Sequence, residues 1–129
     1  MGSALAIATC IAGIASQYAP GVMQVVIRNR QLYGQLPETI PKVSGYAAVY
    51  DCTRIGNTTY INYKKFLIVD CAGDDTTRQW MTRNNIIAEI DYESATTWDT
   101  IGRGMRVTMC DLYTGKRHEY KPFQQITPQ

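Results

Sequence analysis

The chain is short of most features that declare a function early. It carries a single histidine, His118, in 129 residues. Its four cysteines, Cys10, Cys52, Cys71 and Cys110, form no Cys-x-x-Cys pair, which removes the usual zinc and thiol-redox motifs. No apolar run reaches the roughly 18 residues that a membrane-spanning helix requires; the nearest is ALAIATCIAGIA at 4–15. Charge of one sign is also lacking, since thirteen basic residues against eleven acidic ones leave a net +2, and the basic residues are scattered rather than gathered into a stripe. Nucleic-acid binding is therefore not expected. There is no internal repeat, no low-complexity block, no oxygen-dense calcium loop and no cofactor fingerprint. Asp74-Asp75 reads as a polar loop, and no metal or cofactor is expected.

What remains is the composition of one globular domain with one core. The apolar start reads as a packed first strand rather than a signal remnant, because Ala and Gly alternate with Ile and no basic residues precede it. VMQVVIRNRQLYG, after the breaker Pro20-Gly21 and before Pro37, predicts a helix from Val22 to about Tyr33 on the spacing of Val22, Val25, Val26 and Leu32. A loop follows to Ser44. The β-rich runs Tyr46 to Thr53 and Thr58 to Asp70 flank Ile55-Gly56-Asn57 and predict a hairpin. A loop from Ala72 to Thr77, a short turn at Arg78 to Arg83, a strand Ile86 to Ile90, a helical turn from Tyr92 and a last strand after Gly102 and Gly104 complete the pattern. Short strands with one or two small helices argue for a compact, mainly β barrel. The segments are then 1–12, an apolar arm or first strand; 13–113, the barrel; and 114–129, an extended tail. Four cysteines allow three connectivities. The hairpin favours Cys52 with Cys71, whose arms would need a bend or bulge to meet, leaving Cys10 and Cys110 near the first and last strands as the second pair.

Several residues invite a chemical reading. Asp91 ends an apolar strand and precedes Tyr92-Glu93-Ser94-Ala95, where an N-cap is wanted, so the cap is preferred over an acid. Asp70 reads first as a loop aspartate bonded to the backbone of Ala72 or Gly73. Glu89 would share a strand face with Asp91. Tyr18, Trp80 and Tyr92 are aromatic surfaces on which a sugar could stack, although half-buried packing is the commoner fate of such rings.

Four stretches in order, GIASQYAPG, AAVYDCTRIGNTTYINYKKFLIVDCAG, IIAEIDYESATTW and IGRGMRVTM, resemble the rare lipoprotein A-like double-psi β-barrels, the group that includes barwin and the first domain of expansins. The resemblance covers Gly13 to Met109 and implies a six-stranded double-psi barrel with extended terminal arms. It implies Asp91 and Asp70 as catalytic residues of a peptidoglycan lytic transglycosylase-like activity in a surface groove, for which the residues' own chemistry offers Tyr18, Trp80, Tyr92 and Glu89 as the candidate substrate contacts. The family's Asn-Asp-Arg-Gly-Pro loop is here Val-Asp-Cys-Ala-Gly at 69–73, and its Thr-Ala-Ala-His segment is absent. The expectation is accordingly an extracytoplasmic module that binds glycan and cleaves it weakly or not at all. The alternative is a structural subunit of a virion or surface layer, with protein partners held through the terminal arms.

Overall fold

The computed structural model describes residues 7–113. Its strands are β1 (Ile7–Gln17), β2 (Gly45–Val49), β3 (Thr58–Ile61), β4 (Lys64–Cys71), β5 (Ile86–Ile90) and β6 (Met105–Tyr113). Its helices are α1 (Val22–Leu32), α2 (Asp75–Arg83) and α3 (Tyr92–Thr97), with a 3-10 turn at Cys52–Arg54. The strands close into a barrel in the order β1-β5-β2-β4-β3-β6. The mainly β barrel expected from the pattern is thus present, with three helices rather than one or two. Of the segment 1–12, expected as an arm or first strand, residues 1–6 lie outside the described residues, as do the expected tail at 114–129 and His118. Residues 7–12 belong to β1, which runs unbroken past the expected boundary at Gly13.

Two neighbouring pairs are parallel, β1 with β5 and β2 with β4, and the others are antiparallel. This corrects the hairpin. Gly56 does turn the chain, at φ 92°, but it does not fold β2 back on its successor. Its N–H donates to Ile68 O at 2.9 Å, and Ile68 N–H donates to Asn57 O at 2.9 Å, so this turn is stitched to β4. The long run Thr58 to Asp70 is itself the hairpin, folded between Ile61 and Lys64. Its two turn residues, Asn62 and Tyr63, have φ of 47° and 67°, the doubly left-handed backbone that suits right-twisted strands. Asn-Gly would have announced this turn; Asn-Tyr did not.

Both expected disulfides form, Cys10–Cys110 and Cys52–Cys71. The second arises for a different reason from the one expected: parallel β2 places Val49 beside Cys71, and the 3-10 turn then delivers Cys52. In the chain-entropy view a bridge enclosing 100 residues contributes about 4–5 kcal/mol by restricting the unfolded chain.

The helix α1 lies where its breakers predict, but its inward face is displaced. Met23 and Ile27 are buried one turn apart, while Val22, Val25 and Leu32 face solvent. The segment 75–83, expected as a loop and turn, is a helix because Asp74 caps it, its carboxylate accepting from Thr77 N–H at 2.7 Å. In β4, Phe66 to Val69 are buried on both faces, which accounts for their continuous apolar run.

Tyr63 is almost wholly exposed, at 97%, and holds a left-handed backbone that costs an ordinary residue about 1–2 kcal/mol. Tyr63→Gly should therefore raise the unfolding free energy by roughly 0.5–1 kcal/mol, the relieved strain exceeding the added freedom of the unfolded chain. Urea titration showing a loss instead would mean that the tyrosine ring contributes something the turn geometry does not.

Candidate functional site

Register builds the site. Ser16 on β1 lies beside Glu89 on β5, Glu89 beside Ala48 on β2, and Ala48 beside Asp70 on β4. These four form one row across four adjacent strands. Their neighbours Ala15, Ala47, Ala88 and Val69 belong to the core, so the row faces outward. Glu89 and Asp70 are therefore two strands apart, with α-carbons about 10 Å from each other, on either side of Ala48, which is itself buried.

Two further residues complete the cluster. Tyr18, just past β1, donates its hydroxyl to Asp70 Oδ2 at 2.6 Å. From α1, Arg30 Nη2 donates to Asp70 Oδ1 at 2.8 Å, Nε to Val69 O at 3.2 Å, and Nη1 to Gln35 Oε1 at 2.8 Å. Asp70 thus bonds to the side chains of Tyr18 and Arg30, while the Ala72 N–H that its sequence setting offered goes instead to Val49 O at 3.0 Å. The Arg30–Asp70 pair is mostly shielded, with side chains 17% and 19% exposed. Such a pair holds its geometry better than a fully solvated one.

The electrostatics follow from this packing. Burial, reinforced by the Asp70 carboxylate, pushes Tyr18 well above the usual phenol range, so it acts only as a hydroxyl donor. Burial also raises Glu89, and the charge of Asp70 adds to that effect. The Ser16 hydroxyl lies beside Glu89 and opposes the shift; its Oγ is buried and makes no hydrogen bond of good geometry, so we regard that opposition as weak. The result is a carboxylate fixed by Arg30 and Tyr18 facing a carboxyl group that retains its proton more readily than usual.

Asp91 is elsewhere in this chemistry. It is 4% exposed, and both its oxygens are occupied. Oδ1 accepts from Tyr46 N–H at 2.9 Å and from Ser94 Oγ at 2.8 Å, while Oδ2 accepts from Ser94 N–H at 3.1 Å. It caps α3 and ties β2 to it. Gly45 makes room for this: a β-carbon there would lie 2.6 Å from Asp91 Oδ1 and 2.6 Å from Phe66, and would also meet Ser94 Oγ. The acidic partner of Glu89 is Asp70, not Asp91 as strand alternation suggested.

Of the expected aromatic residues, Tyr18 alone hydrogen-bonds to Asp70. Tyr92 opens α3 and is half-buried, and Trp80 sits on α2, 37% exposed. Sequence reasoning missed Arg30 and Ser16. Nothing in RNRQ distinguishes Arg30 from Arg28, because only the rotation of α1 on the barrel selects one. Among the described residues no three His, Cys, Asp or Glu side chains converge as a metal site would require.

Two outcomes test this geometry. Asp91→Ala should cost about 2–3 kcal/mol, more than a simple cap, because it also orphans the Tyr46 N–H. Asp91→Asn should cost about 1 kcal/mol, since its amide nitrogen would face the Ser94 N–H. Equal, near-zero losses in chemical denaturation would show that the cap carries no load. For Glu89, a carboxyl raised in the folded state makes that state bind more protons than the unfolded chain, so stability declines as pH rises from the ordinary glutamate value through the raised one. Glu89→Gln removes that decline. The melting-temperature difference between variant and parent should widen in the variant's favour from about pH 4 to about pH 7; a constant difference would contradict the assignment.

Compared with known proteins, the chain matches no family model, no curated protein and no solved structure.

Proposed function

We propose that the chain is an extracytoplasmic double-psi barrel module that binds a glycan at the Tyr18, Arg30, Asp70 and Glu89 cluster without cleaving it. Support for the barrel type comes from the ordered motifs together with two parallel strand pairs, each interrupted by a register shift, at Ile14/Ala15 and Ala47/Ala48. Support for the compartment comes from the two disulfides, which persist in oxidising surroundings.

The observation that carries the binding reading is the row of carboxyl groups astride Ala48, with a tyrosine and an arginine anchored at one end. Sugar hydroxyls are matched by acceptors and donors held side by side, and Asp70 and Glu89 supply both when Glu89 is protonated. A half-buried tyrosine at the rim adds an apolar surface for a ring face. Binding is preferred over cleavage because Asp91, the residue the resemblance would make the acid, is buried and accepts three hydrogen bonds. A proton donor needs access to its substrate and an oxygen free to hold the proton.

Co-sedimentation with insoluble peptidoglycan, and with chitin and cellulose as other β-linked glycans, tests the reading. The parent should pellet with at least one of them. Asp70→Asn and Tyr18→Phe should each weaken retention by roughly tenfold or more, as expected for a lost charge-assisted hydrogen bond. No anhydro-sugar product should appear. Failure of the folded parent to bind any of the three, or product release abolished by Asp91→Asn, would overturn it.

A further inference from the structure

The first strand is longer than the barrel needs. β1 pairs with β6 from Ile7 to Ala15, but β5 joins its other edge only from Ile14 onward. Among the described residues no strand pairs with that edge between Ile7 and Gly13, and Ala8 to Ala12 are all exposed, Ile11 at 49%.

Which backbone groups are open there follows from the register. Cys10 stands opposite Cys110 with α-carbons 4.1 Å apart, the close spacing of a pair that does not exchange backbone hydrogen bonds. The N–H and C=O of Cys10 therefore point away from β6, as do those of Ala8 and Ala12. Two observations agree. Ile14, in the same phase, sends its N–H outward to Asn85 O at 2.8 Å, and Thr108, opposite Ala12, sends its N–H away to Asn62 Oδ1 at 3.0 Å. Ala8, Cys10 and Ala12 thus offer a ladder of donors and acceptors, held straight by the disulfide to β6.

Natural sheets protect open edges with charge, proline or a bulge. Residues 7–13, IATCIAG, contain neither charge nor proline, and the β1 register shift falls beyond them, at Ile14/Ala15. We propose that this edge pairs with the same edge of a second copy, antiparallel about a two-fold axis at Cys10. In that register Ala8 meets Ala12 of the other copy, Cys10 meets Cys10, and Thr9 meets Ile11. The three hydrogen-bonded pairs exchange about six backbone bonds. The occupant is a second copy because a two-fold contact sets the segment against itself. A charged edge would repel its own image and call for an oppositely charged partner; this one is neutral along its length and self-matched, with Thr9 facing Ile11 at the close, non-hydrogen-bonded positions. The product is a continuous four-stranded ribbon, β6-β1-β1-β6, independent of the glycan reading.

The test is sedimentation equilibrium of the full chain at concentrations up to about 100 µM, with three variants. The parent should be a dimer. Ala12→Pro removes an outward N–H and fills the edge with a ring, yet leaves the β6 ladder intact because the Ala12 N–H does not bond to it. Ile11→Lys places like charges on both sides of the axis. Each should weaken dimerisation at least about tenfold, while an unchanged melting profile and intact disulfides show that the barrel is folded. Val25→Lys, on the solvent face of α1, should have no effect. A monomeric parent overturns the proposal. So does a dimer that Ala12→Pro and Ile11→Lys leave unchanged. A monomer whose Ala8, Cys10 and Ala12 amides resist hydrogen exchange would also overturn it, assigning the edge to another segment of the same chain.

Discussion

Closure of the barrel rests on β1, which meets the last strand on one edge and β5 on the other. Every contact it makes in the sheet is distant in sequence, so ordering it requires most of the chain to be in place. The residue types along it reflect that demand. Gly13 lies where a β-carbon would sit 3.0 Å from Asn85 O and 3.1 Å from Ile87 Cγ1, and Ala15 is buried at the joint. Larger side chains would hold β5 away, and without β5 the neighbour relation of Ser16, Glu89, Ala48 and Asp70 would not exist. The Cys10–Cys110 bridge then fixes β1 to β6, which leaves the position of β5 as the remaining freedom. The polar row on the outer face is in this sense a consequence of how one small-residue strand fits between two others.

Three carboxyl groups in and near that row have three different fates, and donors decide which. Asp91 collects two backbone N–H groups and a hydroxyl, so it is structural. Asp70 collects a guanidinium and a phenol, both from side chains that reach over the barrel surface, so it remains at the surface as a fixed acceptor. Glu89 has neither, and burial beside Asp70 favours its proton. Residue type alone does not separate these roles. What separates them is that Asp91 lies at a helix start, where N–H groups are unpaired, while Asp70 lies where α1 crosses β4.

The legible part of the structure was the part specified locally. Breakers located α1, β-branched runs located β5 and β4, and Asp91 followed by a short helical stretch identified its cap. The illegible part depended on which strands meet. Parallel pairing of β2 with β4 leaves no sequence mark, so Gly56-Asn57 looked like a hairpin turn, while the real one used a tyrosine in a glycine's backbone conformation. Likewise Asp70 was recognisable as a candidate but its partners were not, since Tyr18 and Arg30 are brought to it over separations of 52 and 40 residues. The face of α1 was misjudged by one position because valines exposed to solvent mimic an apolar stripe.

The two disulfides are nested, Cys52–Cys71 lying inside the span that Cys10–Cys110 encloses. A backbone cut anywhere between Cys10 and Cys110 accordingly yields two pieces that remain one covalent molecule. A cut at the exposed tip around Tyr63 falls inside both spans and leaves the pieces joined twice, still registered through the β3–β4 ladder. For a protein that meets proteases, a nick at this exposed tip therefore separates little.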